Sequence, residues 1–290
     1  MYPINEAEGT SVMHAQDSHS ETLDRFSAAS VASKYPSEFR QGHWRDERER
    51  RCILNALKHV PHDAHVLDLP CGTGRVTRLL QERGYQVTAA DSSEEMLALA
   101  ERNGTMRRSG CGDATVPVTY HASDVLSSGF CDGQFDAVVC HRLFHHFRES
   151  ETRKAAMREL CRISRGPVIM SFFNSFSLTA WIRRGRHIFS RRPIRDRVSV
   201  SMSLFLAELE AAGLSPLRTF AATWGISPMW LVVAVPACCV TERVDATVEP
   251  HVESLLCAPM GPSGVAANLT AAGVRSRAKA DAERCRVVTS

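Results

Sequence analysis

The feature that most restricts this chain is a rhythm. Short apolar runs and amphipathic stretches alternate between residues 64 and 173, at spacings that suit βαβ units. The runs "AHVLDL" (64–69), "YQVTAAD" (85–91), "VPVTYHASD" (116–124), "QFDAVVCHR" (134–142) and "GPVIMSFF" (166–173) read as strands. Between them, "GRVTRLLQERG" (74–84), "SSEEMLALAERNG" (92–104) and "ESETRKAAMRELCRI" (149–163) read as helices. The first two end on glycine, and the second opens on serine with glutamates just downstream, a capping pattern. Such an order builds a parallel sheet with helices on both faces. A further helix follows, "SLFLAELEAAGL" (203–214), and then two strands, "SPLRTFAAT" and "MWLVVAV", joined by "WGISP". That connector is too short for a crossover, so the pair must be antiparallel. The expected architecture is α/β, mostly parallel, with one reversed strand at its end.

The flanks are plainer. Asp46 to His59 reads as a helix with Ile53, Leu54 and Leu57 on one face and charges on the other. Residues 1–24 are polar and acidic and read as a disordered tail, and 241–290 as a poorly ordered one. The domain is expected over 25–240. The first residues lack the apolar core of a signal peptide, and the run from Met229 holds a proline and is too short to span a bilayer. A soluble, cytoplasmic protein is expected. The net charge of +3 is too small to point to nucleic acid. Ten cysteines are scattered without a C-x-x-C pair, which argues against zinc and a disulfide scaffold and for free thiols.

The turn after the first strand, "VLDLPCGTGR" (66–75), bears most on function. Gly72 and Gly74 let the backbone approach a ligand at a strand's carboxyl end, where open α/β sheets bind. A dinucleotide fingerprint needs a third glycine where Thr77 stands, and the G-K-[ST] of a phosphate loop is absent. An acid before the turn, Asp68, repels phosphate and suits a positively charged ligand. Asp91 ends the next strand, where an acid can accept ribose hydroxyls, and Asp124 ends the one after, within reach of an adenine amino group. Three acids at three successive strand ends are a more specific signal than two glycines.

In this order, "VLDLPCGTGR", "VTAADSSEEML", "ASDV" and "FDAVVCHRLFHHF" resemble the motifs of class I S-adenosylmethionine-dependent methyltransferases of the small-molecule type. The resemblance covers about Asp46 to Val235. It implies a seven-stranded sheet of order 3-2-1-4-5-7-6 with strand 7 antiparallel, and S-adenosylmethionine as cofactor. Carried over by position, Asp68 orders the cofactor's amino-acid end and the loop of Pro70, Cys71, Gly72 and Gly74 passes beneath it. Asp91, with Ser92 beside it, takes the ribose. Met96 packs near adenine, Asp124 and the Val125 backbone meet its edge, and His141 lies along the methionine part. Pro70 replaces the family's usual glycine and offers no N–H, so the turn must not need one there.

For the acceptor side several readings stay open. His145 and His146 suit either proton removal from a substrate hydroxyl or amine, or the pocket floor. Tyr35 and Arg142 are substrate-facing candidates. The basic segment 183–197 is a solvated lid, or a site for an acidic acceptor or an anionic membrane surface. A small-molecule O, N or C acceptor is the leading expectation. A non-catalytic cofactor-binding regulator and an RNA methyltransferase are the alternatives, the second lacking an N-P-P-[YF] motif and a strong charge.

Overall fold

A computed structural model describes residues 18–27, 44–105, 117–178, 182, 198–222 and 227–241. Seven strands are present: β1 (His65–Asp68), β2 (Gln86–Asp91), β3 (Val118–Ala122), β4 (Ala137–Cys140), β5 (Val168–Phe173), β6 (Leu214–Ala221) and β7 (Met229–Pro236). They form one sheet in the order β3-β2-β1-β4-β5-β7-β6. The pairs from β3 through β5 are parallel, and β7 is antiparallel to both its neighbours. The expected order holds. The reversed strand β7 lies between β5 and the edge strand β6, as that order requires.

Strand side chains alternate between faces, and both faces are covered. Leu67, Val138, Met170 and Val232 point one way, toward α5 (Ser150–Ile163) and α6 (Met202–Ala211), with Met157, Leu160, Phe205 and Leu209 against them. Val66, Val139, Ile169 and Val233 point the other way, toward α2 (Trp44–Ala56) and α3 (Arg75–Glu82), meeting Ile53, Ala56, Leu79 and Leu80. This explains the near-continuous apolar runs of β4 and β5: a parallel strand covered on both faces has no polar side. Phe172 of β5 stacks on Phe205 of α6, with ring centroids 4.1 Å apart, which fixes how α6 sits.

The ligand-binding edge is set by the crossover connections. Asp68 and Asp91 are the last residues of β1 and β2, and Asp124 follows β3, so parallel pairing brings all three to one side of the sheet. From β2 the chain enters α4 (Glu94–Thr105), and from β4 a 3-10 turn over Phe144–His146. The last element described is α7 (Ala237–Thr241).

Two expectations are revised. Residues 18–24, read as part of a disordered tail, lie in helix α1 (Ser18–Ser27). The helix docks through polar contacts that a hydropathy pattern does not show: Arg148 grips Glu21 with both terminal nitrogens, at 2.8 and 2.9 Å, and Ser18 Oγ bonds the Glu149 carboxylate. The expectation of free thiols holds for Cys52, Cys71, Cys140, Cys161, Cys238 and Cys239 but not for Cys131, which is disulfide-bonded. Spacing along a chain does not report which cysteines the fold brings together. Tyr35, the segment 183–197 and residues 242–290 also lie outside the described residues. Among the described residues no helix is long and apolar enough to cross a membrane.

One buried ion pair joins α5 to α6. Arg153 Nε lies 2.8 Å from Glu208 Oε2, and its Nη1 donates to the carbonyls of Phe147 and Arg148 at 3.0 and 2.8 Å. Removing one partner strands a buried charge, a loss of about 3–5 kcal/mol, whereas replacing both with apolar residues is far better tolerated. Glu208→Ala is therefore expected to lower the urea-unfolding free energy by about that amount. The double change Arg153→Met with Glu208→Leu should recover most of it.

Candidate active site

The site is built around the carboxyl end of β1. Asp68 is fully buried, and its Oδ2 accepts from Thr77 Oγ1 at 2.6 Å. Oδ1 is buried and bonds to nothing among the described residues. Burial pushes the Asp68 pKa up to about 7, with the Thr77 hydrogen bonds opposing it, the nearby Asp91 charge adding and the Arg75 charge subtracting. Thr77, which stands where a dinucleotide site has glycine, is thus the residue that holds this acid.

The loop that follows hangs on backbone bonds. Leu69 N donates to Val139 O at 3.0 Å, Cys71 N to Ala90 O at 2.8 Å and Gly74 N to Cys71 O at 3.0 Å. Pro70, joined to Leu69 by a cis peptide, sits between donors and needs no N–H of its own. The Cys71 thiol is pushed up by burial and by the charges of Asp68 and Asp91, so it remains protonated and is no nucleophile. Gly72 has φ +52° and a Cβ there would meet no protein atom within 4 Å. Gly74 has φ +78°, and a Cβ there would come within 3.2 Å of the Ala100 Cα on α4. The first glycine faces open space and the second faces a helix.

Asp91 joins two loops. Its Oδ2 accepts from Gly72 N at 2.8 Å and its Oδ1 from Ser93 N at 3.0 Å. Burial raises its pKa against these backbone bonds. Ser92 is exposed, and the hydroxyl that caps α4 belongs to Ser93, which accepts from Met96 N at 3.2 Å. Met96 is buried on that helix, and Val125 is buried beyond β3. Asp124 Oδ1 accepts from Leu126 N at 2.8 Å and pairs with His19 Nε2 of α1 at 3.0 Å, while Oδ2 makes no bond among the described residues. Burial would raise the Asp124 pKa, but His19 and the Leu126 N–H outweigh it and hold the carboxyl low.

A second cluster lies across the mouth of the loop. Glu49 of α2 is only 5% exposed. It accepts from Arg75 Nη2 at 2.9 Å and from Arg142 Nε and Nη2, the latter 2.8 Å from Oε2. Burial opposes its charge, but the His141 contact and the two guanidinium groups prevail and keep it ionised far below the usual carboxylate range. His141 is buried, which lowers its pKa and keeps it neutral. Its Nε2 lies 3.0 Å from Arg75 Nη2 and 3.2 Å from Glu49 Oε2. One neutral ring nitrogen either accepts from the first or donates to the second. Arginine can only donate, so Nε2 serves one of these two partners at a time, according to the ring tautomer. Nδ1 is buried and bonds to nothing among the described residues.

The two candidate general bases differ. His145 is buried and stacks on Phe173, with centroids 4.3 Å apart, which makes it a wall. His146 packs on His145 and is half-buried. Arg142 is half-exposed and has φ +63°. Among the described residues no group of three or more histidine, cysteine or acidic side chains could hold a metal ion.

Glu49, Arg75, Thr77 and Asn103, whose Nδ2 donates to Thr73 O at 2.9 Å, had no place in the sequence-derived site. One signal for Glu49 was present. It precedes the buried Cys52, Ile53 and Ala56 by three, four and seven residues, so it lies on the buried stripe of α2 and not on its charged face.

A seven-stranded sheet of this order, with an acid buried at the end of β1 and an open glycine turn after it, is the arrangement that the methyltransferase resemblance implies. Comparison with known proteins agrees: residues 66–166 match the family described as "Methyltransferase domain". The chain is 38% identical over 80 residues to the putative methyltransferase YqeM of Bacillus subtilis, covering 28% of this chain and 29% of that protein. It is 35% identical over 116 residues to demethylmenaquinone methyltransferase of Thermus thermophilus, covering 39% of this chain and 47% of that one. The chain thus spans less than half the length of these two relatives. In fold it is similar to magnesium protoporphyrin IX methyltransferase of Synechocystis PCC 6803 with bound S-adenosylhomocysteine, with a TM-score of 0.58 at 19% identity, covering 76% of this chain and 99% of that one.

The two glycines should respond differently to alanine. Both carry a positive φ, which costs an L-residue about 1–2 kcal/mol. Gly74→Ala adds a backbone collision with α4 and should be the more destabilising in thermal melts. Gly72→Ala should cost little beyond the dihedral term, yet weaken S-adenosylhomocysteine binding in titration calorimetry, because its methyl group enters the open cleft.

Proposed function

We propose that this protein is an S-adenosylmethionine-dependent methyltransferase that acts on a small-molecule O, N or C acceptor. The observation that carries it is the Asp68 Oδ1, a buried acceptor with no partner among the described residues, followed in the chain by Gly72, where an added Cβ would meet no protein atom within 4 Å. Such an atom needs a donor, preferably a cationic one. The cofactor's ammonium group fits, and a phosphate does not. When bound, the cofactor supplies an electrophilic methyl group on sulfur.

The chain's own residues then align and enclose. Asp68 holds the ammonium end. Gly72 and Gly74 keep the loop low. Asp91 has lone pairs left for the ribose hydroxyls after its two backbone bonds. Asp124 Oδ2 and the Val125 backbone meet the adenine edge, Met96 packs against the ring, and His141 borders the methionine part. His146 is placed to take a proton from the acceptor, with His145 as the wall behind it. Most of the rate enhancement in such a site comes from alignment of acceptor and methyl group. A cytoplasmic location goes with the six free thiols, Cys131 being the exception. An acidic acceptor suits the arginines at the mouth.

Titration calorimetry with S-adenosylhomocysteine tests this, and absence of binding would sink it. A pH series sharpens the test. Asp68 titrates near 7 in the protein alone and must be ionised to hold an ammonium group. Affinity should therefore rise with pH, up to about tenfold per unit below 7, and level off above it. Asp68→Asn should bind weakly with that dependence gone.

Asp91→Ala should lose at least about tenfold in affinity, since charge-assisted hydrogen bonds contribute about 1.5–3 kcal/mol each. It should also melt lower, because the Gly72 and Ser93 amides lose their acceptor. Unchanged affinity in this variant would remove Asp91 from the site.

A further inference from the structure

The cofactor's amino-acid end is a zwitterion, and Asp68 meets only its cationic half. The carboxylate is attached to the same carbon as the ammonium group. Its counter-cation must therefore lie within a few ångströms of Asp68. The charge of Arg75, first residue of α3, already acts on Asp68, and Arg75 shares Glu49 with Arg142. One carboxylate and two guanidinium groups around a neutral His141 leave a net charge of +1 at the mouth of the loop. A site with one surplus negative charge at Asp68 and one surplus positive charge at Glu49 matches a zwitterion.

The geometry selects Arg142 as the receiving cation. Glu49 takes the side edge of its guanidinium, through Nε at 3.2 Å and Nη2 at 2.8 Å. The other edge, ending in Nη1, makes no bond among the described residues, and the side chain is 49% exposed. A guanidinium gripped on one edge presents the other in a fixed plane, the arrangement that suits bidentate capture of a second carboxylate. The backbone is committed to this aim. Arg142 holds φ +63°, an unfavourable region for a residue with a long side chain, and its N–H is pinned to Ser171 Oγ at 2.7 Å.

Resting on the cofactor reading above, we propose that Arg142 receives the α-carboxylate of S-adenosylmethionine and that Glu49 is a positioning residue, which holds the guanidinium edge-on and carries α2 onto the site. The sequence places Arg142 among substrate-facing candidates. Here it faces the cofactor instead, and the acceptor meets the cleft from the side of His146.

The test compares two ligands that share the nucleoside. S-adenosylhomocysteine has the amino-acid end and 5′-methylthioadenosine lacks it. Dissociation constants are measured by calorimetry at pH 8 for the wild type, Arg142→Gln, Glu49→Ala and the double variant. Arg142→Gln should weaken S-adenosylhomocysteine by about ten- to hundredfold, the range for a charge-assisted bond, and leave methylthioadenosine within about twofold. Arg142→Lys, which keeps the charge but not the planar edge, should fall between. Glu49→Ala should also erode the preference for S-adenosylhomocysteine, and the double variant should be no worse than Arg142→Gln alone. An unchanged preference in Arg142→Gln overturns the assignment, and Arg142 then serves the acceptor or the surface. Tighter S-adenosylhomocysteine binding in Glu49→Ala means that Glu49 competes for Arg142, which overturns its positioning role. Should the wild type bind neither nucleoside, the cofactor reading itself fails. Arg142 is half-exposed, so its variants are expected to fold and to decide the matter even if Glu49→Ala does not.

Discussion

A carboxylic acid with no access to water sits at the end of β1, inside the sheet, and the surrounding architecture answers to it. Burying an ionised group costs several kcal/mol unless partners replace the solvent. Thr77 satisfies one oxygen of Asp68, and the second has no partner among the described residues. The chain carries this cost because the parallel sheet forces it: β1 is flanked by β2 and β4 and covered on both faces, so whatever ends β1 is buried. The same feature that makes the fold stable makes this acid uncomfortable without a cationic ligand. Function and strain share one atom.

The rest of the site distributes charge around that atom. Asp91 gives its oxygens to two backbone amides and so becomes part of the frame. Glu49 does the same for two arginines, at the far side of the loop. Neither acid is a free surface charge. Each fixes a loop or a helix. Preorganised polar groups of this kind need no rearrangement when a ligand arrives.

How much of this was legible in the sequence follows from the range of the interactions involved. The succession of strands and helices and the acids at the strand ends were accessible because period-2 and period-3.6 patterns are local, and Asp68, Asp91 and Asp124 sit where those patterns stop; the strand order followed from the family resemblance. Thr77 was visible but was weighed only as a missing glycine, since its bond to Asp68 spans a turn whose geometry the sequence does not specify. Glu49 was hidden among charges in "DERERRCILNALKH", where Glu47 and Arg48 are indeed exposed. Its partners Arg75 and His141 lie 26 and 92 residues away, and no local pattern encodes such a meeting. The helix of Ser18–Ser27 was misread for the same reason. Its anchors Glu149 and Arg148 are about 130 residues distant, and composition alone sees only a polar segment.

Among the described residues α1 is attached by polar contacts, whereas α2 and the helices between the strands bury apolar residues on the sheet. The consequence is a difference in hardness. Apolar packing on the sheet is insensitive to salt and pH over ordinary ranges. The contacts of α1 are a histidine–aspartate pair at 3.0 Å and an arginine–glutamate pair that is more than a third exposed on one side, and exposed pairs contribute little and are screened. Glu49 on α2 is buried, so its cluster is the stronger attachment. A rigid sheet thus presents a fixed set of acids and glycines, the buried Glu49 of α2 anchors Arg75 and Arg142, and α1, reaching Asp124 through His19, is held by contacts that salt can loosen, since local stability is lowest where buried apolar contacts are fewest.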